Sequence, residues 1–288
     1  MSALRSRKPS VAIVGAGNLA AALAVSLHAS GYSVDEVISR RDKKSFQRAS
    51  QLAAEVAAIP STLVDARLRA GVIWFCVPDG AIAAAAQSLT LKTNWKAKIA
   101  LHSSGALSSD ELRVLRQRGA ATASVHPLMT FVRGSRPSFL GVPFAIEGDR
   151  QASTVARSIV RDLGGLPYPI ARTEKEAYHA WGMFVSPLFA ALLIAAERVA
   201  EAAHVNRKEA RSRAVPILRQ TLENYARLGA PESFSGPIAR GDVETVKKHL
   251  NVLKNISGAR DVYIALARIA LRDLPAKNRR ELQKLFGK

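Results

Sequence analysis

Near the start of the chain, Gly15-Ala16-Gly17-Asn18-Leu19-Ala20 follows a short apolar run, Val11–Val14, and opens an amphipathic stretch at Asn18. Gly-x-Gly-x-x-Ala in a strand–turn–helix setting suits a pyrophosphate. Gly15 permits the tight turn, Gly17 lets the backbone approach the ligand, and Ala20 lets the helix lie close to the sheet. The helix N-terminus adds unpaired N–H groups and the positive end of a dipole. A bare tight turn would use the same glycines, but the strand before and the helix after favour a dinucleotide. The second apolar run ends Val37-Ile38-Ser39-Arg40-Arg41. An NAD site places an acid there for the ribose 2′-hydroxyl, whereas Asp35 and Glu36 come too early. A hydroxyl and two guanidinium groups suit a 2′-phosphate, each charge-assisted bond being worth about 1.5–3 kcal/mol. The expected cofactor is therefore NADP(H) rather than NAD(H). The plainer alternative is that Arg40 and Arg41 simply begin the next helix on a solvated face. Val77-Pro78-Asp79 ends the third apolar run and is expected beside the cofactor, with Asp79 also suited to capping the next helix.

Histidines supply the next candidates. His102-Ser103-Ser104-Gly105 and His126-Pro127 each fall at the end of an apolar run. Two histidines at neighbouring strand ends could donate protons to a carbonyl or imine, or bind an acidic substrate. Each could equally cap its strand through a backbone hydrogen bond. Ser103 lacks a Gly-x-Ser-x-Gly elbow, which excludes a hydrolase of that kind. Ser103 and Ser104 are instead candidate substrate contacts. Tyr178-His179 lies early in a long helical pattern, with Ser186 two turns on along the same side. Farther along, Gly236-Pro237-Ile238-Ala239-Arg240-Gly241-Asp242 sits between helical patterns. There Arg240 could hold a substrate carboxylate or phosphate and Asp242 could cap the helix that carries His249.

The elements that must position these residues follow from periodicity. Strands are expected at Val11–Val14, Val34–Ser39, Val72–Val77, Lys98–His102, Ala121–His126, Val142–Glu147 and Pro167–Ile170, with helices at Asn18–Ala29, Lys43–Ala57, Ile82–Leu89, Ser109–Arg118 and Ala152–Leu163. This alternation implies an α/β Rossmann, doubly wound parallel sheet. The pattern then changes. Glu174–His204 reads as one helix kinked near Pro187, followed by helices at Arg207–Leu228, Asp242–Asn255 and Asp261–Arg272. The expected plan is a dinucleotide-binding domain over 1–172 and an all-α domain over 173–288.

Composition narrows the function classes. The 288 residues include 48% hydrophobic and 23% charged residues, ordinary globular values that exclude disordered and fibrous classes. One cysteine, Cys76, rules out an internal disulfide framework, and one Cys with six scattered His offers no structural zinc cluster, so no metal is expected. Lys plus Arg number 42 against 23 Asp plus Glu, a formal +19, which attracts anions such as nucleotides. The excess is spread along the chain and densest in the tail (Arg272, Lys277, Arg279, Arg280, Lys284, Lys288), with no nucleic-acid signature beside it, so a nucleic-acid partner is the weakest reading. The run at Val11–Val14, after the basic Arg5, Arg7 and Lys8, is too short for a signal core. Trp181–Ala196 is 16 residues with Pro187 inside, shorter than the roughly 20 needed to span a bilayer. A soluble cytoplasmic protein without a membrane segment is expected.

Together Gly15-x-Gly17, Val77-Pro78-Asp79, His102-x-Ser104-Gly105, His126-Pro127, Tyr178-His179 and Gly236-Pro237-x-x-Arg240-Gly241-Asp242 with His249 resemble a bacterial family. Its members join a Rossmann-like domain to a helical C-terminal domain of unknown function. Several carry the label NADP oxidoreductase or coenzyme F420-dependent NADP oxidoreductase-like protein. The chain departs from that pattern with Ser103 for Thr, Met129 for Gln, Phe234-Ser235 for Leu-Thr and Ser186 for Asn. The architecture is also similar to that of 6-phosphogluconate and 3-hydroxyisobutyrate dehydrogenases, ketopantoate reductase and pyrroline-5-carboxylate reductase. The hydroxyacid dehydrogenases carry a catalytic Lys one turn before an Asn on the long helix. Gly182 and Ser186 stand at that spacing here, which argues against their mechanism. The resemblance implies NADP(H) and a small-molecule substrate. The expected function is hydride transfer to or from a small, anionic carbonyl or imine, with His102, His126 or His179 as proton donor and Ser103, Ser104, Tyr178, Arg240 and Asp242 as substrate contacts. The alternatives are a non-catalytic NADP(H) sensor and, last, a nucleic-acid-binding basic protein. Long apolar helices in the second domain further imply a homodimer.

Overall fold

The structure is a computed structural model that describes residues 8–287; the basic residues Arg5, Arg7 and Lys288 lie outside them. Two compact units result, one ending at Met183 and the other beginning at Phe184.

In the first unit, eight strands form one sheet: β1 (Val11–Val14), β2 (Val34–Ser39), β3 (Ile59–Thr62), β4 (Val72–Phe75), β5 (Ile99–His102), β6 (Ala121–Pro127), β7 (Pro143–Gly148) and β8 (Leu166–Pro169). Their order is β3-β2-β1-β4-β5-β6-β7-β8. The direction of winding reverses between β1 and β4, and ligands of open α/β sheets bind outside the carboxyl ends of the strands at such a switch point. The helices are α1 (Asn18–Ala29), α2 (Lys43–Glu55), α3 (Ile82–Leu89), α4 (Arg113–Arg116), α5 (Arg150–Asp162) and α6 (Lys175–Val185). Alternate residues of each central strand serve opposite faces. Val11, Ile13 and Trp74 pack with Leu23, Leu27 and Ile159 of α1 and α5. Ala12, Val14 and Phe75 pack with Ile82 and Leu89 of α3 and with Leu115 of α4. Both faces are covered, which is why Val72-Ile73-Trp74-Phe75 is apolar at every position.

Three features depart from the sequence expectation. β7 runs antiparallel to β6, so the sheet is mostly rather than wholly parallel. A parallel neighbour needs a crossover helix, and the Pro-, Gly- and Ser-bearing connection from Leu128 to Val142 contains none. β3, unexpected because of Pro60, is an edge strand, where a missing N–H costs no ladder bond. The opposite edge, β8, carries Pro167 and Pro169 in the same way. Finally, α6 belongs to the first unit as far as Met183, so the division falls later than residue 172. The reason is the burial of Lys175 and Tyr178, whose side chains bond to Ser124 and His126 of β6.

The second unit is helical: α7 (Pro187–Ala202), α8 (Arg207–Ser233, interrupted at Gly229), α9 (Pro237–Arg240), α10 (Val243–Leu253), α11 (Ala259–Asp273) and α12 (Arg279–Phe286). The expected kink near Pro187 is a break at Ser186, which leaves the helical region (φ −127°, ψ −79°). Val246, Ala267, Leu271, Leu282 and Phe286 form its core. α12 falls where only a basic tail was expected; Leu282 and Phe286 are its core-facing residues. Taken through that break, residues 172–202 are long and apolar enough to cross a membrane, with mean hydropathy 1.7 in the window concerned and none of that window buried. That run is longer than Trp181–Ala196 alone.

Candidate functional site

The turn after β1 is built against β4. Gly15 takes φ +121°, and its N–H donates to the Ile38 carbonyl at 2.7 Å. A Cβ on Gly15 would stand 2.2 Å from the Cys76 carbonyl oxygen. No side chain fits there, and the turn closes only with glycine. Gly17 differs: it is the N-cap of α1 at φ −83°, and a Cβ there would meet nothing within 4 Å. The open side of the turn borders a cavity of about 420 Å³, within the usual range for small-molecule sites. Of the sequence candidates, Gly15, Ala16, Gly17, Ser39, Arg40, Val77 and Pro78 line it.

The other four cofactor candidates do not line this cavity, each for a physical reason. Asn18 donates through Nδ2 to the Phe131 carbonyl at 3.1 Å, tying down the loop after β6. Leu19 packs on the core beneath α1. Arg41 lines a separate recess with Phe46 and Asp65. Asp79 accepts a bond from Ser104 Oγ at 2.8 Å. In their place α2 contributes Ser45 and Arg48. Asp42 caps α2 by accepting from Ser45 N–H at 3.0 Å, and that bond holds its carboxyl below the usual range. The cap starts the helix at Lys43, so that Ser45 and Arg48, three residues apart, share one face. Arg40 Nη2 donates to Ser45 Oγ at 3.1 Å, which brings the strand end and this face together.

A second polar group lies at the carboxyl ends of β5 and β6. His102 is wholly buried. Its Nδ1 accepts from the Ser104 N–H at 3.1 Å, so its Nε2, 2.9 Å from the Ser108 carbonyl, carries the proton and donates. Burial pushes its pKa down to about 4. With both nitrogens committed, His102 is a neutral strand cap and leaves the set of proton donors. Ser103 Oγ accepts from the Trp74 indole at 2.8 Å. Ser104 is a hub: its Oγ donates to Asp79 and accepts from Leu107 N–H at 2.9 Å.

His126 is placed differently. Its Nδ1 lies 2.9 Å from the Tyr178 hydroxyl, and the ring stands edge-on to Tyr178 and to His179, with centroids 5.5 and 6.1 Å away. Its Nε2 has no hydrogen-bond partner among the described residues. A Cβ on Gly105 would lie 2.8 Å from that nitrogen and 2.6 Å from His179 Cδ2, so both rings close directly over the glycine. Burial, then the charge of Lys175, lowers the His126 pKa to about 4. Burial raises that of Tyr178, which also contacts Tyr168. Lys175 went unnoticed in the sequence. It is 1% exposed and bonds to Ser124 Oγ and the Ser104 carbonyl. The available signal was spacing: Lys175, Tyr178 and His179 recur at i, i+3 and i+4, one face of a helix.

In the second unit Asp242 caps α10 by accepting from Thr245 N–H at 3.0 Å, which holds its carboxyl low. That bond is the capping role the sequence offered for Asp242. Arg240 ends α9, exposed, with no hydrogen bond or ion pair among the described residues. His249 Nδ1 lies 3.2 Å from the Tyr263 hydroxyl.

Residues 1–127 match the Rossmann-like domain family, and residues 142–269 match a domain of unknown function, DUF2520. A Rossmann-like domain model and a DUF2520 model thus follow one another along most of the chain. No curated protein matches its sequence. A candidate NADP oxidoreductase of Bacteroides fragilis superposes with a TM-score of 0.76 at 21% identity, over 91% of this chain and 97% of its own. An imine reductase of Myxococcus stipitatus in complex with NADP+ gives 0.65 at 17% identity, over 97% and 100%. A reductive aminase of Aspergillus terreus in complex with NADPH and ethyl-5-oxohexanoate gives 0.65 at 16% identity, over 98% and 100%. At these identities the likeness is one of fold.

Proposed function

We propose that the chain is an NADP(H)-dependent oxidoreductase that reduces a small carbonyl or imine compound, or oxidises the corresponding product. The observation that carries the reading is the glycine turn, whose open side faces a cavity bordered by Arg40, Ser45 and Arg48. The donor set fits the cofactor. The backbone of Gly15 to Gly17 and the N-terminus of α1 would hold the pyrophosphate, while Ser39, Ser45, Arg40 and Arg48 would hold the 2′-phosphate. Bound NADPH supplies a hydride; the protein supplies orientation and a proton or hydrogen bond. His126 is the residue for that task, because Tyr178 fixes its ring through Nδ1 and leaves Nε2 open. His179 flanks it.

The test is oxidation of NADPH, followed at 340 nm, across a panel of keto acids, ketones and cyclic imines. Turnover of at least one class, lost in His126→Gln, supports the proposal. NADPH binding with no turnover of any class favours the sensor reading, in which the same cavity reports cofactor level. The structural bonds that occupy His102 and Ser103 leave that alternative standing.

The proposal includes a homodimer in the cytoplasm. Ile194 of α7 and Ile217, Leu222 and Tyr225 of α8 are each more than half exposed in the single chain. Exposed large apolar side chains on these two helices support contact with a second copy. Light scattering is expected to give twice the chain mass; a monomer, or a protein recovered only in detergent, would overturn this part.

A further inference from the structure

Lys175 is among the most deeply buried side chains, yet no carboxylate lies within ion-pair distance of it among the described residues. A buried ammonium is strongly disfavoured unless its protons are committed to fixed acceptors. Here the acceptors are built. Nζ donates to Ser124 Oγ at 2.7 Å and to the Ser104 carbonyl at 3.1 Å, and Ser124 Oγ donates to that same carbonyl at 3.0 Å. Three elements therefore close on one another: α6, β6 and the turn after β5. Ser124 and His126, two residues apart, project from the same face of β6. Lys175, Tyr178 and His179 share one face of α6. The face that buries the ammonium is thus the face that clasps His126. Ser104, held through its carbonyl, also fixes His102 through its N–H and Asp79 through its hydroxyl. Gly105 follows it, beneath the His126 and His179 rings.

We propose that Lys175 is a positioning residue for His126: it locks α6 onto β6 and the Ser104 turn, and sets a fixed positive charge near the histidine pair, so that His126 acts as a neutral imidazole. The inference rests on His126 being the working histidine of the proposed function. The groups that face His126 are Lys175, Tyr178 and His179 from α6 and His102 from β5, none of them an acid. The nearby acids, Asp79 and Glu147, act on Lys175 and His102. A neutral imidazole donates or accepts a hydrogen bond at the reacting atom without first binding a proton from solution. The Lys175 ammonium itself is pushed down to about 8 by burial.

The test is a histidine 15N NMR titration of the whole chain without cofactor, the His126 signal being identified by its loss in His126→Gln. Two results are expected. In the wild type His126 stays neutral to about pH 4–5 and its nitrogens show a second, small inflection near pH 8, where Lys175 gives up its proton. In Lys175→Met the acid midpoint rises by about one pH unit and the inflection near pH 8 disappears. An unchanged midpoint in Lys175→Met, or a wild-type curve with no inflection near pH 8, would overturn the proposal. The second criterion holds even if Lys175→Met does not fold. NADPH titration of the same samples separates the two readings: loss of cofactor binding would sink the oxidoreductase proposal, whereas the His126 curve alone decides the role of Lys175.

Discussion

Alanine at the two glycines of the turn should have opposite consequences, because the structure gives them different neighbours. At Gly17 the backbone is ordinary (φ −83°) and a Cβ meets nothing within 4 Å. Alanine narrows the unfolded ensemble, worth about 0.4–1 kcal/mol, but is a poorer N-cap than glycine by about the same amount. Folding stability should therefore change by less than about 1 kcal/mol. The added methyl would, however, stand where a pyrophosphate must approach the backbone. Overfilling such a contact costs about 1–3 kcal/mol, which is about 5- to 150-fold in affinity. At Gly15 alanine meets the Cys76 carbonyl oxygen at 2.2 Å with φ at +121°. Strain of about 1–3 kcal/mol adds there to a backbone overlap of similar size, so the fold itself should weaken by several kcal/mol. Urea denaturation paired with NADPH calorimetry reads both quantities. Gly17→Ala that folds normally and binds NADPH as tightly as the wild type would show that the open side of the turn faces no ligand.

Arg40→Ala and Arg48→Ala should each weaken NADPH by about tenfold and leave NADH unaffected, narrowing the preference; equal losses for both nucleotides would place the guanidiniums elsewhere. Stability should fall in acid. His102 ionises at about 4 in the folded chain and near 6.5 when unfolded, so the unfolded state takes up the proton first. The contribution is whole above pH 6.5, declines as pH falls from 6.5 to 4, and amounts to about 3 kcal/mol, read from urea midpoints at pH 7.5 and 4.5. His126, lowered likewise to about 4, adds a contribution of the same sign, so His102→Asn should remove about half of that slope. Gly105→Ala, whose Cβ would lie 2.6 Å from the His179 ring and 2.8 Å from the His126 ring, should displace both rings at a cost of about 1–3 kcal/mol and shift their NMR signals.

The sheet was legible wherever burial writes a pattern. Val72 to Phe75 is apolar throughout because helices cover both faces, and the glycine turn between β1 and α1 announces itself by type and spacing. Direction was less legible. Antiparallel β7 is encoded in the lack of a helix between Leu128 and Val142, an absence that a loop-rich composition only suggests. β3 was hidden by Pro60, a residue that argues against a strand except at an edge, and edge position is a property of the whole topology. The site shows the same limit. Arg40 follows from the end of β2, but Arg48 depends on where Asp42 starts α2. His102 and His126 look alike in sequence, and only the partners of their nitrogens distinguish a strand cap from an open imidazole. Lys175 is hardest to read, because a lysine in a polar stretch is ordinarily solvated and this one is buried by contacts with residues 51 and 71 positions away.

On the proposed function, this turn and these guanidiniums hold NADP(H). Calorimetric titration of the wild-type chain with NADPH and with NADH tests it most directly. NADPH should bind at least about tenfold more tightly than NADH; equal affinities, or no binding of either nucleotide, would contradict the account.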